Sequence, residues 1–417
     1  MRALVFGVDA DSIPEVEHAG AEENPLLKGL AATPMNLIEI EDPKPIGPDW
    51  VVLRSRMTGI CGSDSKQVFM ENAEDEIDNA MTALISFPQV LGHELVATVE
   101  EVGPEATGGV EPGQRVVLNP WLSCGPRGIE PKCPPCQAGD FSLCWNFTDG
   151  RLSPGIHTGN AKEATGGFAE LVPAHTSMVI PVPDGIPDEV AVLADPFAVS
   201  LHAVTRTPPP PGGKAVVYGA GALGTTATAI LRQLYPDVDV ATIARWPGQA
   251  EMAGKLGATV FAPEPRLELV EGLARWSGGV LRTPWQSLPF CHPGHVDVVY
   301  DTVGKPETLE IGIRVVKGRG SVVVTGVGAP GRFEWAPLYF KEVRLVGSNA
   351  FGLEEVDGKR QHGIAHYLDL VQQGRVDISA MLTHTFPLEQ WRDAFSTLAR
   401  QGETGAIKVA FDQRMTN

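Results

Sequence analysis

The chain has few cysteines, no long apolar run and a shortage of positive charge. Its 33 lysines and arginines face 51 aspartates and glutamates, and the resulting net charge of -18 would repel nucleic-acid phosphates and anionic lipid headgroups. No segment reaches the roughly 18 consecutive apolar residues that a transmembrane helix needs. The sequence therefore predicts neither a nucleic-acid nor a membrane partner, and it favours a small-molecule substrate.

Six cysteines are also too few to hold together a secreted scaffold of 417 residues. The first residues, from Met1 to Phe6, predict a strand and are soon followed by acidic residues, a pattern without the apolar core of a signal peptide. Together these features predict a cytoplasmic protein.

Strand and helix patterns divide the chain into two parts. Strand-like runs rich in β-branched residues, such as 95–102, fill the first 110 residues or so. Four prolines and two glycines at 208–213 mark a break, after which strand patterns alternate with helix patterns. Such alternation predicts a parallel sheet with crossover helices. The stretches 11–34, 70–85 and 275–293 are predicted to be insertions.

A glycine-rich turn lies directly between a strand pattern at 215–218 and a helix pattern at 225–234. Its glycines are Gly219, Gly221 and Gly224, in the spacing Gly-x-Gly-x-x-Gly. Such a turn lets the backbone approach a pyrophosphate, to which the helix N-terminus presents free N–H groups. The motif predicts a dinucleotide site, and the alternative is a turn that binds nothing.

Two groups of residues carry metal-ligand chemistry. Cys124, Cys133, Cys136 and Cys144 supply four thiols within about twenty residues, which indicates a closed structural zinc site. The alternative is a set of free or oxidised cysteines. The second group is dispersed along the chain and offers a thiol, an imidazole and carboxylates, the mixed set expected of an open catalytic zinc. It consists of Cys61, Asp64, His93, Glu94 and Asp195. Here the alternative is a set of ordinary structural residues.

With these motifs in place, the chain resembles the zinc-containing medium-chain dehydrogenase/reductase superfamily over nearly its whole length. Matching pieces occur in the family's order: Gly-Ile-Cys-Gly-Ser-Asp at 59–64, Gly-His-Glu at 92–94, the four-cysteine lobe, Asp-Pro-Phe-Ala-Val-Ser-Leu-His-Ala at 195–203, the glycine motif, Asp-Thr-Val-Gly at 301–304, and the ending at 383–408. The resemblance implies an α/β protein with a GroES-like β-barrel catalytic domain over 1–200 and a Rossmann-fold dinucleotide-binding domain over 201–348. Residues 349–417 would return to the catalytic domain.

The resemblance also implies roles for single residues. The ligand positions of the catalytic zinc are occupied by Cys61, His93 and Asp195. Glu94 falls on the adjoining carboxylate, which either binds the metal directly or lies next to its ligands. Asp64 falls on the acid that orients the ligand imidazole.

Proton transfer and cofactor binding involve a further group. Ser63 falls on the hydroxyl that touches the substrate oxygen, and Lys66 stands where many members have a proton-relaying histidine. The cofactor-binding positions are Gly219, Gly221, Ala222, Leu223, Gly224 and Arg245. Ala244 replaces the acid of NAD-specific members, so Arg245 is expected to select NADP, with NAD as the alternative.

One departure from the family concerns the cysteine lobe. Its first two cysteines are normally two residues apart, whereas eight residues separate Cys124 from Cys133, which predicts a loop that bulges out before Cys133.

The predicted activity is zinc-dependent hydride transfer between a small alcohol or polyol and a nicotinamide cofactor. The alternatives are a zinc-free double-bond reductase and a catalytically silent member of the same fold. The expected partners are the alcohol or carbonyl substrate and further copies of the chain, as a dimer or tetramer.

Overall fold

The computed structural model describes residues 1–7, 23–71, 80–326, 328 and 331–415. Contacts divide the chain into two compact units, one formed by Met1–Asp195 with Leu382–Asn417 and the other by Pro196–Met381. Half of each predicted insertion at 11–34 and 70–85 lies outside the described residues, namely 11–22 and 72–79. Their described parts include a helix at 25–32 and a 3-10 turn at Ala80–Leu84.

The described residues of the first unit, up to its boundary at Asp195, form eight strands and four helices. The strands are β1 (Arg2–Phe6), β2 (Met35–Glu39), β3 (Trp50–Gly59), β4 (Gln89–Val90), β5 (Glu94–Val102), β6 (Arg115–Leu118), β7 (Leu171–His175) and β8 (Val179–Pro181). The helices are α1 (Pro25–Ala32), α2 (Gly62–Val68), α3 (Pro134–Ala138) and α4 (Asp188–Ala191). Short 3-10 turns lie at Phe141–Leu143 and Thr176–Met178.

The second unit contains the elements that follow. Its strands are β9 (Lys214–Tyr218), β10 (Asp239–Ile243), β11 (Thr259–Phe261), β12 (Leu281–Arg282), β13 (Phe290–Cys291), β14 (Val296–Asp301), β15 (Val316–Val324), β16 (Arg344–Gly347), β17 (Leu353–Val356) and β18 (Lys359–His362). Its helices are α5 (Ala194–Arg206, which starts at the boundary), α6 (Ala222–Leu234), α7 (Pro247–Lys255), α8 (Arg266–Ser277), α9 (Pro306–Val315), α10 (Ala336–Phe340) and α11 (Gly363–Gln372). A 3-10 turn at Ser379–Met381 ends it.

The chain then returns to the first unit. This segment contains β19 (Leu382–Phe386), a 3-10 turn at Leu388–Gln390, α12 (Trp391–Ala399), α13 (Gln401–Thr404) and β20 (Lys408–Asp412). The main sheet of the first unit has the order β19-β20-β3-β5-β6-β8, and β7 also pairs with β3. Trp50, Leu53, Leu95 and Val116 from its strands pack in one core. The sheet is thus completed by strands from both ends of the sequence.

Six strands of the second unit form one parallel sheet in the order β11-β10-β9-β14-β15-β16. Numbered within the sheet, this is the order 3-2-1-4-5-6 of a dinucleotide-binding fold, and the order reverses between β9 and β14. The predicted parallel sheet with crossover helices is confirmed. Within the predicted insertion at 275–293, β12 and β13 form an antiparallel pair.

The boundaries of the two units differ from the sequence-based division at 200/201 and 348/349. Residues 349–381 belong to the second unit, because α11 packs against α5: the rings of Phe197 and Tyr367 lie 4.8 Å apart. The chain enters the second unit after Asp195 and leaves it after Met381. Among the described helices, none is long and apolar enough to cross a membrane.

Candidate metal centres and dinucleotide site

The mixed group of predicted ligands gathers where β3 and β5 lie side by side. Gly59, the last residue of β3, pairs with Glu94, the first residue of β5. This register brings Cys61, two residues beyond β3, next to His93 and Glu94. The ligand atoms of these three residues all lie within 4.8 Å of one another, and His93 and Glu94 are buried.

Asp64 and Cys61 are the two groups that most favour protonation of His93. The Asp64 carboxylate accepts a hydrogen bond from the Cys61 backbone N–H at 3.0 Å, and its Oδ1 lies 3.7 Å from His93 Nδ1. Burial opposes protonation of His93, but its interactions with Asp64 and Cys61 outweigh this and hold the imidazole pKa well above its usual value. Burial in turn raises the pKa of Asp64. The cluster therefore attracts positive charge.

Asp195 stands apart from the group of three in one respect. Its carboxylate is not among the ligand atoms that lie within 4.8 Å of one another. It is nevertheless buried, Oδ2 has no hydrogen-bond partner among the described residues, and burial raises its pKa to about 7. An unpartnered buried carboxylate oxygen, a buried imidazole and a partly buried thiol are the donor chemistry of a zinc site, and these residues fit that metal.

Lys408 is a member of the cluster to which the sequence analysis assigned no role. Its ammonium group forms a buried ion pair with Glu94 and donates a hydrogen bond to the Ile60 carbonyl at 2.9 Å. Gly59 leaves room for this pair, since a Cβ there would collide with the Glu94 carboxylate. In the sequence, the only sign of a role for Lys408 was its place in the C-terminal motif. Its partners Ile60 and Glu94 could not be foreseen, because they lie more than 300 residues earlier in the chain.

His157 is a second residue that the sequence analysis missed. Its ring centroid lies 4.4 Å from that of His93, and the ring of Trp121 meets it edge-on at 5.9 Å. Burial, together with the neighbouring His93 charge, lowers the pKa of His157 to about 3, so its ring is neutral near pH 7.

Ser63 and Lys66 lie on α2 outside the buried cluster. The helix turns Asp64 into the protein and leaves Ser63 exposed and Lys66 partly exposed. Their predicted roles in proton transfer remain predictions.

The four lobe cysteines come together as a second donor set. Their sulfur atoms all lie within 4.8 Å of one another, and all four residues are buried and free of disulfides. Backbone N–H groups support the sulfurs: Cys133 donates to Cys124 Sγ, and Asn146 donates to Cys144 Sγ, each at 3.4 Å. Four buried thiols in this arrangement fit a closed tetrahedral zinc site.

The loop between the first two cysteines has an exposed part and a buried part. Residues 128 and 130–132, shortly before Cys133, are exposed, whereas Arg127 is 1% exposed. Its guanidinium group donates five hydrogen bonds of 2.7–3.0 Å to the backbone carbonyls of Leu122, Asp149, Leu152, Ser153 and Gly155. The start of the loop is therefore held in the interior, because five backbone carbonyls accept the hydrogen bonds that the buried Arg127 guanidinium group must donate.

The glycine motif follows β9 at the point where the strand order of the parallel sheet reverses. Gly219 has a φ of 97°, and a Cβ there would lie 2.6 Å from Thr302 Oγ1. A Cβ at Gly224 would collide with the Gly219 carbonyl, whereas one at Gly221 would meet nothing within 4 Å. The open space over Gly221, at the N-terminus of α6, fits a pyrophosphate.

Asp301 supports this turn from the neighbouring strand. At the end of β14 its carboxylate accepts hydrogen bonds from the backbone of Val303 and Gly304, each at 3.0 Å, and from Thr308 Oγ1 at 2.7 Å. Thr302 Oγ1 then donates to the Tyr218 carbonyl at 2.9 Å. These bonds fix the loop after β14 beside the glycine turn.

The end of β10 carries no acidic side chain. Ala244 is buried, and its N–H donates to the Phe261 carbonyl at 2.9 Å. Arg245 is exposed, and its guanidinium carbon lies 4.7 Å from the centre of the Trp246 ring.

Two family models match the chain in succession. The alcohol dehydrogenase GroES-like domain matches residues 47–184, and the zinc-binding dehydrogenase model matches residues 222–361. The chain is 28% identical to an L-threonine 3-dehydrogenase of Chelativorans sp. (strain BNC1) over 365 residues, which cover 87% of this chain and 91% of the relative. It is 26% identical to the sorbitol dehydrogenase of Bacillus subtilis (strain 168), over 87% of this chain and 90% of the relative.

A solved structure has the same fold over nearly its full length. It is a short chain alcohol dehydrogenase of Escherichia coli CFT073 complexed with NADH, with a TM-score of 0.72, 21% identity and 99% coverage of both chains. The predicted combination of a GroES-like domain with a Rossmann fold is confirmed, and the second family model describes a zinc-binding dehydrogenase. The chain belongs to the zinc-containing medium-chain dehydrogenase/reductase superfamily, and it is an oxidoreductase of the alcohol dehydrogenase type.

Proposed function

We propose that this chain transfers a hydride between the carbinol carbon of a small alcohol or polyol and NADP. The observation that carries the proposal is the convergence of the partly buried Cys61 with the buried His93 and Glu94, where β3 ends and β5 begins in the first unit. The named relatives, a threonine and a sorbitol dehydrogenase, act on compounds with a carbinol carbon, which supports the same substrate class here.

Cys61, His93 and Asp195 would hold the catalytic zinc, with Glu94 next to it. When bound, zinc supplies a Lewis acid that lowers the pKa of an alcohol hydroxyl, and the nicotinamide ring supplies the hydride acceptor. The four lobe cysteines would hold a structural zinc, since they leave no open ligand position.

The side chains around the cluster orient the donors. Asp64 fixes the Cys61 backbone through its hydrogen bond and faces His93 Nδ1, as acids beside metal-bound imidazoles do. Lys408 neutralises Glu94 and so keeps that carboxylate from capturing the metal by charge alone. The exposed Ser63 hydroxyl accepts the alcohol proton and passes it to solvent, with Lys66 further along the same helix.

In the second unit the cofactor-binding residues act through their backbone. Gly219 and Gly224 allow the tight turn, and Gly221 leaves the approach to the helix open. Ala222 and Leu223 begin α6, where N–H groups without a helical partner would bind the pyrophosphate. We assign NADP because Ala244 leaves no charge to repel a 2′-phosphate and the exposed Arg245 offers a guanidinium group to it.

The test combines metal analysis with cofactor reduction. Elemental analysis should find about two zinc ions per chain. A panel of alcohols, polyols and amino alcohols should produce reduced cofactor, measured by its absorbance. His93→Ala should abolish turnover and lose one zinc, whereas Cys136→Ser should lower stability and lose the other. Normal turnover in zinc-loaded His93→Ala, or a wild type inert towards the whole panel, would overturn the proposal.

We also propose that the chain forms homo-oligomers in the cytoplasm. The edge strand β16 exposes Leu345, and the preceding α10 exposes Tyr339 and Phe340. An unpaired strand edge with apolar neighbours favours pairing with a second copy. The cytoplasm fits because the lobe cysteines must remain reduced to bind metal.

A further inference from the structure

A polar group of three side chains lies in the first unit, where β7 ends beside the start of β3. His175, the last residue of β7, pairs with Trp50, the first residue of β3, and this register places Asp49 next to the His175 ring. His175 Nε2 lies 2.9 Å from Asp49 Oδ2, and His175 Nδ1 lies 2.8 Å from Ser177 Oγ. A carboxylate, an imidazole and a hydroxyl are thus joined by consecutive hydrogen bonds.

The hydrogen bonds of the His175 ring fix its tautomer. Nδ1 accepts a hydrogen bond from the Ser177 backbone N–H at 3.1 Å, so Nδ1 carries no proton in the neutral ring. Nε2 carries the proton and donates it to Asp49. Burial lowers the pKa of His175, and the ring is therefore neutral near pH 7. The Ser177 hydroxyl accordingly donates its hydrogen bond to a nitrogen that can take a proton.

The exposure of the three side chains suits a reactive hydroxyl. The side chain of His175 is 11% exposed and that of Asp49 is 30% exposed, whereas Ser177 lies at the surface. Gly125 faces the hydroxyl without a side chain, since a Cβ there would lie 3.4 Å from Ser177 Oγ. The base is thus held inside the protein, and the hydroxyl is open to a reagent.

A second serine of the chain has the same local geometry without an imidazole. Ser379 is exposed and lies in a 3-10 turn, as Ser177 does. Its backbone N–H and its Oγ donate to Asp377 Oδ1 at 3.0 and 2.7 Å. These bonds lower the pKa of Asp377, which makes that carboxylate a poor base. Capping of such a turn therefore does not require an imidazole held by a carboxylate.

We propose that Ser177 is a nucleophile that takes an acyl group from activated carboxylic esters. His175 acts as the general base and Asp49 orients its ring, which are the roles of these residue types in serine hydrolases, although here Nδ1 faces the hydroxyl. Ser177 Oγ forms a bond with the ester carbonyl carbon while its proton passes to Nδ1. The bond from that carbon to the leaving oxygen then breaks, and the proton departs with the alcohol. The product is an ester of Ser177.

The experiment treats the full-length protein with p-nitrophenyl acetate and locates the acetyl groups by peptide mass mapping. Ser177 should be acetylated at least about 100-fold faster than Ser379, because a positioned general base accelerates such steps by roughly 10²–10⁴-fold. A fluorophosphonate, whose phosphorus binds the serine oxygen as fluoride leaves, should label Ser177 and spare Ser379.

Two substitutions separate the base from the turn that it caps. His175→Asn keeps an acceptor for the Ser177 N–H, as Asn24 does at the start of α1, but it offers no base. Acetylation of Ser177 should then fall to the rate at Ser379. Asp49→Asn should slow acetylation of Ser177 at least about tenfold, because a neutral amide no longer stabilises the protonated ring. Ser379 in the same sample reports any general change in reactivity.

The outcomes are independent of the proposed function. Ser177→Ala should remove the fast release of p-nitrophenol and leave dehydrogenase turnover unchanged, since Ser177 belongs to neither the metal centres nor the dinucleotide site. Acetylation of Ser177 in the wild type no faster than that of Ser379 would overturn the proposal. A rate at Ser177 that neither His175→Asn nor Asp49→Asn lowers would overturn it as well.

Discussion

At the scale of single residues, Lys408 and Glu94 form an ion pair beside Cys61 and His93. Both side chains are 2% exposed, and Lys408 also donates to the Ile60 carbonyl. Two charges removed from water in this way stabilise the fold only while both are present. Gly59 is part of the same arrangement, because any side chain there would push the carboxylate away.

Lys408→Met should therefore leave the Glu94 carboxylate buried without its partner. The expected loss is about 3–5 kcal/mol in the free energy of unfolding, measured by urea denaturation. Lys255→Met is the matched control, because Lys255 pairs with Glu251 at the surface and both side chains are 68% exposed. That substitution should cost no more than about 1 kcal/mol. Equal effects of the two substitutions would contradict a buried pair at Lys408.

Arg245 offers a second prediction at this scale. Arg245→Ala should lower the ratio of kcat/KM for NADP to that for NAD by about tenfold to a hundredfold, since a charge-assisted hydrogen bond contributes about 1.5–3 kcal/mol. Arg275→Ala, a change at another exposed arginine of the same unit, should leave the ratio as it is. An unchanged ratio in Arg245→Ala, or a wild type that prefers NAD, would refute the assignment of NADP.

At the scale of elements, local patterns explain what could be predicted. The β9 strand, the glycine turn and α6 lie within 21 consecutive residues, 214–234, so their periodicity and glycine spacing are visible in the sequence. The four cysteines are similarly local. The positions of Lys408, Arg127 and His157 were not predictable, because each depends on contacts between distant segments that no short pattern encodes.

In the cysteine lobe, too, the sequence pattern predicted the local feature and missed the contacts between separated segments. Its cysteine spacing indicated a metal site, but the five carbonyls bound by Arg127 come from Leu122 and from four residues between Asp149 and Gly155. A single buried guanidinium group thus joins the two ends of the lobe.

Arg127→Met should release these carbonyls and leave several without a donor. Each unsatisfied buried group costs about 1–3 kcal/mol, so the lobe should open even with the cysteines intact. Faster cleavage within 122–155 under limited proteolysis and faster zinc release to a chelator would report this opening. Arg54→Met is the control, since Arg54 bonds Glu100 at the surface. If Arg127→Met resisted protease as well as Arg54→Met does, the lobe would not depend on the guanidinium group.

At the scale of the whole molecule, the edge of the parallel sheet bears on assembly. Leu345→Asp would place a charge on the exposed face of β16 and should shift the mass measured by light scattering towards that of a single chain. Leu267→Asp is a matched control, because Leu267 and Leu345 are both 47% exposed and lie in the same unit. A wild type that is already a single chain, or a Leu345→Asp protein that keeps the wild-type mass, would rule out an interface at this edge.

The split of the first unit across the sequence also fixes an order of events during translation. The second unit is continuous over Pro196–Met381, so a ribosome makes all of it before β19 and β20 exist. Domains generally fold as units while the chain is being made. Until β20 arrives, the part of β3 that it covers has an open edge, and Glu94 lacks the ammonium group of Lys408. The nascent enzyme therefore completes its cofactor-binding half first and balances the charge of its metal centre last.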